Sequence, residues 1–128
     1  MAVKFMSDEY LKEVETRLNS HEGFQSAAKG QSAKLQQEIT GAPEGDVRYW
    51  WQIDNGKASL GRGDLEGAEA TMTQNYETAV AMSKGEITGQ AAFMQGKMKI
   101  SGNLMKMMQL QAAFQQMGSA LQDMEIEY

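Results

Sequence analysis

The sequence predicts an α+β domain in which helices pack on one face of a five-stranded, mostly antiparallel sheet. Three observations carry that prediction. Apolar residues recur at helical spacing near both ends of the chain, whereas the middle alternates apolar and polar with period two. Asn55-Gly56 stands between two alternating runs, a strong short-range hairpin signal. The length, 128 residues with one proline and no cysteine, suits one ordinary domain that needs no disulfide or metal staple. Residues 1–128 are accordingly read as a single domain, without an internal repeat or a linker.

Each element follows from a local pattern. Ser7 before Asp8 and Glu9 reads as an N-cap with acids in the first turn. Tyr10, Leu11, Val14 and Leu18 then recur at helical spacing, and Glu13–Arg17 is an i,i+4 pair in the favourable order. This helix is expected to stop between Asn19 and Gly23. A short second helix is expected from Phe24 to Lys29, ended by Gly30. From Ser32 onward Ala33, Leu35, Gln37 and Ile39 share one face and Lys34, Gln36 and Glu38 the other, a half-buried strand. Residues 41–45 form a turn around the single proline, Pro43. Asp46 to Asp54 is the best strand in the chain, with Val47, Tyr49, Trp51 and Ile53 on one face. Lys57 to Gly61 returns from the hairpin, and Glu69 to Thr73 follows an acidic, glycine-rich loop; the four strands are expected to run antiparallel.

A helix then opens over residues 73–77, carries Tyr76, Ala79, Val80 and Met82, and closes at Lys84-Gly85. Thr88 caps a short helix from Gln90 to Gln95. Gly96 to Gly102 alternates again as the fifth strand, and Asn103 caps one long last helix from Leu104 to about Met117. Met124, Ile126 and Tyr128 alternate weakly, as an extended tail would.

Composition removes most chemistry. Twelve basic residues against 17 acidic ones leave a net charge of −5, unlike a protein that neutralises phosphates, so no nucleic-acid partner is expected. With no cysteine and one histidine there is no thiolate chemistry and no zinc site of several histidines. His21 falls near the end of the first helix, where a basic side chain suits the helix C-terminus. Asp64, Glu66 and Glu69 read as a solvated turn. Residues 61–66 begin like a dinucleotide fingerprint, but Glu66 stands where the third glycine belongs and no helix follows. No catalytic residue, cofactor or metal ligand is therefore assigned. The first residues lack an apolar leader, and the longest uncharged stretch, Met107 to Gln122, is too rich in glutamine to span a membrane. A soluble cytoplasmic protein is expected.

Methionine is the anomaly. Eleven occur, and Met94, Met98, Met105, Met107, Met108 and Met117 fall within 24 residues. Methionine is flexible and polarizable, suited to surfaces that adapt to varied apolar partners. The last helix carries more apolar residues than one stripe needs. It is either a broad buried helix, a cavity wall or a docking surface. The same third of the chain has no acidic residue between Glu86 and Asp123, yet holds Lys97, Lys99 and Lys106. Those lysines are either an ordinary solvated rim or a mouth that attracts anionic headgroups and membranes.

Residues 94–103 (Met-Gln-Gly-Lys-Met-Lys-Ile-Ser-Gly-Asn) followed by Leu104-Met105-Lys106-Met107-Met108-Gln109-Leu110 resemble the signature of the sterol carrier protein type 2 family. There a Gly-Lys-hydrophobic-Lys-hydrophobic-x-Gly strand leads into a terminal apolar helix. The order of the upstream elements fits too, so the resemblance covers nearly the whole chain. It implies an apolar tunnel between sheet and helices that binds fatty acids, acyl-CoA, phospholipids or sterols. Carried over by position, the ligand-binding candidates are Trp51, Ile53, Phe93, Met94, Met98, Ile100, Leu104, Met105, Met108 and Leu110. The chain lacks the peroxisomal terminus of eukaryotic members and ends in the acidic residues 123–128, which suggests a stand-alone bacterial version.

The expected function is thus non-enzymatic lipid binding and lipid transfer. Burying an acyl chain of a dozen carbons is worth roughly 10 kcal/mol before the costs of binding. Two other readings stay open: a protein-interaction or dimerisation module using the Met-rich C-terminal surface, and an enzyme with a buried carboxylate in the pocket.

Overall fold

A computed structural model describes residues 2–128. Helix α1 (Asp8–Ser20) starts where its cap predicts: the Tyr10 N–H donates to Ser7 Oγ at 3.1 Å. Its Tyr10, Leu11, Val14 and Leu18 are all buried. Helix α2 (Glu22–Ala28) follows after the single residue His21 and buries Phe24 and Ala28. It begins two residues earlier than the sequence suggested.

Strands β2 (Ser32–Thr40), β3 (Val47–Asp54), β4 (Lys57–Arg62), β5 (Ala70–Asn75) and β6 (Met98–Gly102) form the main sheet in the order β4-β3-β2-β5-β6. The β3–β4 hairpin turns at Asn55 (φ 48°) and Gly56 (φ 90°), two left-handed residues whose twist matches the strands. The expected run of four antiparallel strands fails at one joint. β5 does not pair with β4; it pairs with β2, in parallel, from Leu35↔Ala70 to Thr40↔Asn75. β5 also extends through Asn75, where the sequence had opened a helix. Ladders to β2 and β6 hold residues 73–75 as strand on both sides until the Asn75 side chain caps α3 (Tyr76–Ser83), accepting from the Thr78 N–H at 2.8 Å.

One face of the sheet carries the core. Ala33, Leu35 and Ile39 of β2, Ile53 of β3, Ala58 of β4, Ala70 and Met72 of β5 and Met98 of β6 are all buried. On this face α1 packs across β4, α3 against β5, and α4 (Gly89–Met94) against β6. The opposite face is polar, with one buried exception. Gln36 donates to the carbonyls of Tyr49 and Gly63, both at 3.0 Å, and accepts from the Leu65 N–H at 2.8 Å. It thereby pins the 63–65 loop to the sheet. Beside it Trp50 lies over Gly61, where a Cβ would come within 2.5 Å of the indole.

The last helix is two. α5 (Leu104–Gln109) and α6 (Gln111–Ala120) meet at Leu110, whose side chain is fully buried. The Leu110 N–H is shared between the carbonyls of Lys106 and Met107 at 3.1 and 3.3 Å. Burying Leu110 and Ala113 draws α6 onto α2, whereas α5 has no fully buried side chain and rests on the core through half-buried Met107. The extended tail is present, and it has a partner that two residues are too short to reveal by period. β1 (Val3–Lys4) pairs in parallel with β7 (Ile126–Glu127), joining the chain ends. Phe5 sits beside them with its ring 5.2 Å from Tyr10, 6.1 Å from Tyr76 and 5.1 Å from Tyr128. Burial pushes the Tyr10 and Tyr49 phenols well above their ordinary range; at Tyr10 the neighbouring Tyr49 and Tyr128 add to it and Ser83 opposes it.

Gly102 is where only glycine fits. Its φ is +105°, and a Cβ there would strike the Glu69 carbonyl and come within 2.9 Å of the Ala70 Cα. Gly102→Ala should cost about 3 kcal/mol by urea denaturation, against about 1 kcal/mol for Gly85→Ala, where the φ is also positive but the space is open. The phenols make a second prediction. They ionise less readily folded than unfolded, so stability is intact below about pH 10 and falls as pH rises beyond it. A urea midpoint unchanged from neutral pH to about pH 12 would contradict this.

Candidate functional site

The period-two pattern of β3 points Tyr49, Trp51 and Ile53 at the helices, and β4 adds Ala58 and Leu60. Opposite them stand Tyr10, Val14 and Leu18 of α1, and Met117 and Leu121 at the end of α6. Between these walls is a cavity of about 50 Å³. Its lining carries no charged group, and the polar side-chain groups among its residues are the Tyr10 and Tyr49 phenols and the Trp51 indole N–H. The Trp51 ring meets Phe114 edge-on at 5.3 Å, a contact that seats α6 against the sheet. The chemistry on offer is to enclose an apolar molecule.

The ten residues expected to bind ligand do not gather in one place. Trp51 and Ile53 line the cavity. Met98 and Leu110 are buried elsewhere in the core, and Ile100 is half-buried beside its cross-strand partner Met72. The other five are on the surface: Phe93 and Met94 on α4, Leu104, Met105 and Met108 on α5. Met94, Met105 and Met108 are 70–76% exposed. A 2.9 Å hydrogen bond from Gln111 Nε2 to Gln90 Oε1 ties the starts of α6 and α4 together. Phe93 and Met94 are thus exposed apolar residues of α4, and Leu104, Met105 and Met108 of α5. Sequence reasoning left the other lining residues out of the site: Tyr10, Val14 and Leu18 of α1, Tyr49, Ala58 and Leu60 of the hairpin, and Met117 and Leu121. Tyr49 and Leu60 were legible, since each shares a face with Trp51 or Ala58; the α6 pair depended on where Leu110 turns the chain.

The three lysines also divide. Lys106 Nζ donates to the Ser32 carbonyl at 2.8 Å and lies 3.5 Å from the Glu69 carboxylate, tying α5 to the sheet. Lys97 and Lys99 are exposed on either side of Met98. Lys97 also borders an open groove of about 680 Å³ between α3 and α4, with Glu77 and Glu86 on its rim and Asn75 and Thr78 among its lining. His21 caps the end of α1, as its position suggested, and lies 3.4 Å from Gln116 Oε1. Among the described residues no group of acids and histidine could hold a metal, and no helix is long and apolar enough to cross a membrane.

Known proteins share this architecture. The chain is 34% identical over 117 residues to sterol carrier protein 2 of Gallus gallus, a match that covers 91% of this chain. It spans about a fifth (21%) of the length of that relative. A crystal structure of sterol carrier protein 2 superposes with a TM-score of 0.80 at 16% identity, over 94% of this chain and 99% of that one. The solution structure of palmitated SCP2L2 from Aedes aegypti gives 0.63 at 20% identity, over 84% and 95%. At those identities the two structures establish the fold, with its mixed five-stranded sheet under helices. The sequence match reaches further, because the SCP-2 sterol transfer family aligns with residues 11–115, from the first buried face of α1 to α6, and the chain belongs to that family.

Proposed function

We propose that residues 1–128 act as one lipid carrier, which holds a fatty acyl chain, an acyl-CoA or a sterol-like molecule between the sheet and its helices. The observation that carries this reading is the uncharged cavity beneath Trp51 and Ile53, on the helix-covered face of the sheet. The family is described by sterol transfer, and the Aedes aegypti relative of the same fold is a palmitated protein; both support the reading. The domain carries its ligand and does not convert it.

The cavity of about 50 Å³ is several-fold below the roughly 300 Å³ at which ligand pockets begin, so a lipid enters only if a wall moves. The wall that continues into a lightly packed segment is the C-terminal one: α6 contributes Met117 and Leu121 to the lining, and α5 before it has no fully buried side chain. Moving it would join the cavity to the side of the molecule where α4 and α5 expose Phe93, Met94, Leu104, Met105 and Met108. That surface suits a membrane. Its apolar residues are flanked by Lys97 and Lys99, in a stretch without an acidic residue, within a chain of net charge −5. Contact with anionic headgroups would orient the exit for transfer.

Native mass spectrometry of protein purified from cells should detect a co-purified lipid. The reading fails if none appears and no fluorescent fatty-acid probe binds at micromolar concentration. Lys97→Gln/Lys99→Gln should slow transfer to anionic vesicles about threefold or more at low salt, with little change at high salt, where screening removes the attraction. Equal rates at low salt would remove the lysines from the mechanism.

A further inference from the structure

The two edges of the main sheet are finished differently. On β4 the outward backbone groups are met by side chains of α1. Asn19 accepts from the Ala58 N–H at 2.8 Å and donates to the Ala58 carbonyl at 2.9 Å, and Glu15 accepts from the Leu60 N–H at 2.9 Å. That edge is closed to another strand. The opposite edge is β6. One step beyond its Ala70↔Gly102 register the Asn103 N–H donates to the Glu69 carbonyl at 2.9 Å, which marks a hydrogen-bonded pair. Alternation along an antiparallel ladder then turns the backbone of Ser101 and Lys99 towards β5, and that of Met98 and Ile100 outward. Among the described residues nothing pairs with those outward groups. The side chains of this edge are sorted by face. Met98 and Ile100 face the helices, the first buried and the second half-buried. Lys99 is exposed on the other face, and Lys97 is exposed just before the strand. Neither lysine joins an ion pair among the described residues.

We propose that β6 is a docking edge, where an extended segment of a partner protein, alternating acidic and apolar residues, adds a further strand to the sheet. The partner's backbone takes up the outward N–H and C=O groups of Met98 and Ile100. Its acidic side chains fall on the face of Lys99 and Lys97, and its apolar ones continue the face of Met98 and Ile100, because both strands share the period of two. The lysines also decide which strand is admitted. A second copy laid along β6 would set lysines against lysines, and like charges across a strand pair oppose it. An acidic strand meets the same two charges as attraction, so one feature excludes self-association and favours the partner. The contact requires no lipid in the cavity.

Fluorescence anisotropy with a labelled peptide of alternating glutamate and valine tests this, against a peptide of the same composition with all its glutamates ahead of all its valines. Only the first can place its charges on one face of a strand. It should bind the native chain about tenfold tighter, and Lys97→Glu/Lys99→Glu should remove about tenfold of that affinity. Ile100→Pro deletes one outward N–H and leaves the β5 ladder its bonds, so it should weaken binding as well. Amide hydrogen exchange followed by NMR locates the contact: the alternating peptide should slow exchange at Met98 and Ile100. Equal binding of the two peptides to the native chain, including no binding of either, overturns the proposal whether or not the variants fold. So does binding of the alternating peptide without new protection at Met98 and Ile100. A chain that carries lipid and ignores the peptide loses this proposal alone, and one that binds the peptide without carrying lipid keeps it.

Discussion

Strand β2 must be hydrogen-bonded along both edges and covered on both faces, and the rest of the molecule is arranged to meet that demand. β3 satisfies one edge antiparallel and β5 the other in parallel. One face, through Ala33, Leu35 and Ile39, needs an apolar cover, which the helices supply. On the other, Gln36 is buried with three hydrogen bonds to β3 and the 63–65 loop, so that loop is held down at the point where the chain leaves the hairpin. From there the chain crosses to the far side of β2 and enters β5 parallel to it. The mixed sheet is therefore the consequence of a hairpin on one edge and a free edge on the other. It leaves β3 and β4 over the cavity and puts β5 beside the groove, with β2 between them.

Packing against that sheet is unequal along the C-terminal third. α6 is fastened by Leu110, Ala113 and the Trp51–Phe114 contact. α5 is held at its two ends, by the Asn103 cap and the Lys106–Glu69–Ser32 contacts at the start and by Leu110 at the finish. Between these anchors Met105 and Met108 face outward, and Met107 packs partly against the core. An amphipathic helix normally pays for its order by burying a stripe; α5 is ordered by its ends, which leaves its apolar face free for use.

The same economy of structure runs through the interior. Under the proposed function, a carrier would keep a closed apolar core when empty and open it when loaded, so its cavity walls could not all be fastened alike. The strands are locked into continuous ladders, and α1 presents four buried side chains to them. The glutamines on β2 and β5 are the places where that face is not apolar.

Much of this was legible in the sequence. The caps Ser7, Thr88 and Asn103, the Asn55-Gly56 turn and the alternation of β2, β3 and β6 are local physics, set by hydrogen bonds within a few residues and by side-chain period. They determined the elements, their order and which face of each strand is apolar, and the strand–helix motif of residues 94–110 led to the family. What the sequence could not determine is what depends on residues far apart. The parallel β2–β5 pairing, the β1–β7 clasp and the break at Leu110 are settled by which apolar groups compete for one core. The same competition split the ten expected ligand residues between cavity, core and surface. Periodicity says that a side chain is apolar and which way it faces; only the packed structure decides whether a neighbour, a cavity or the solvent lies in front of it.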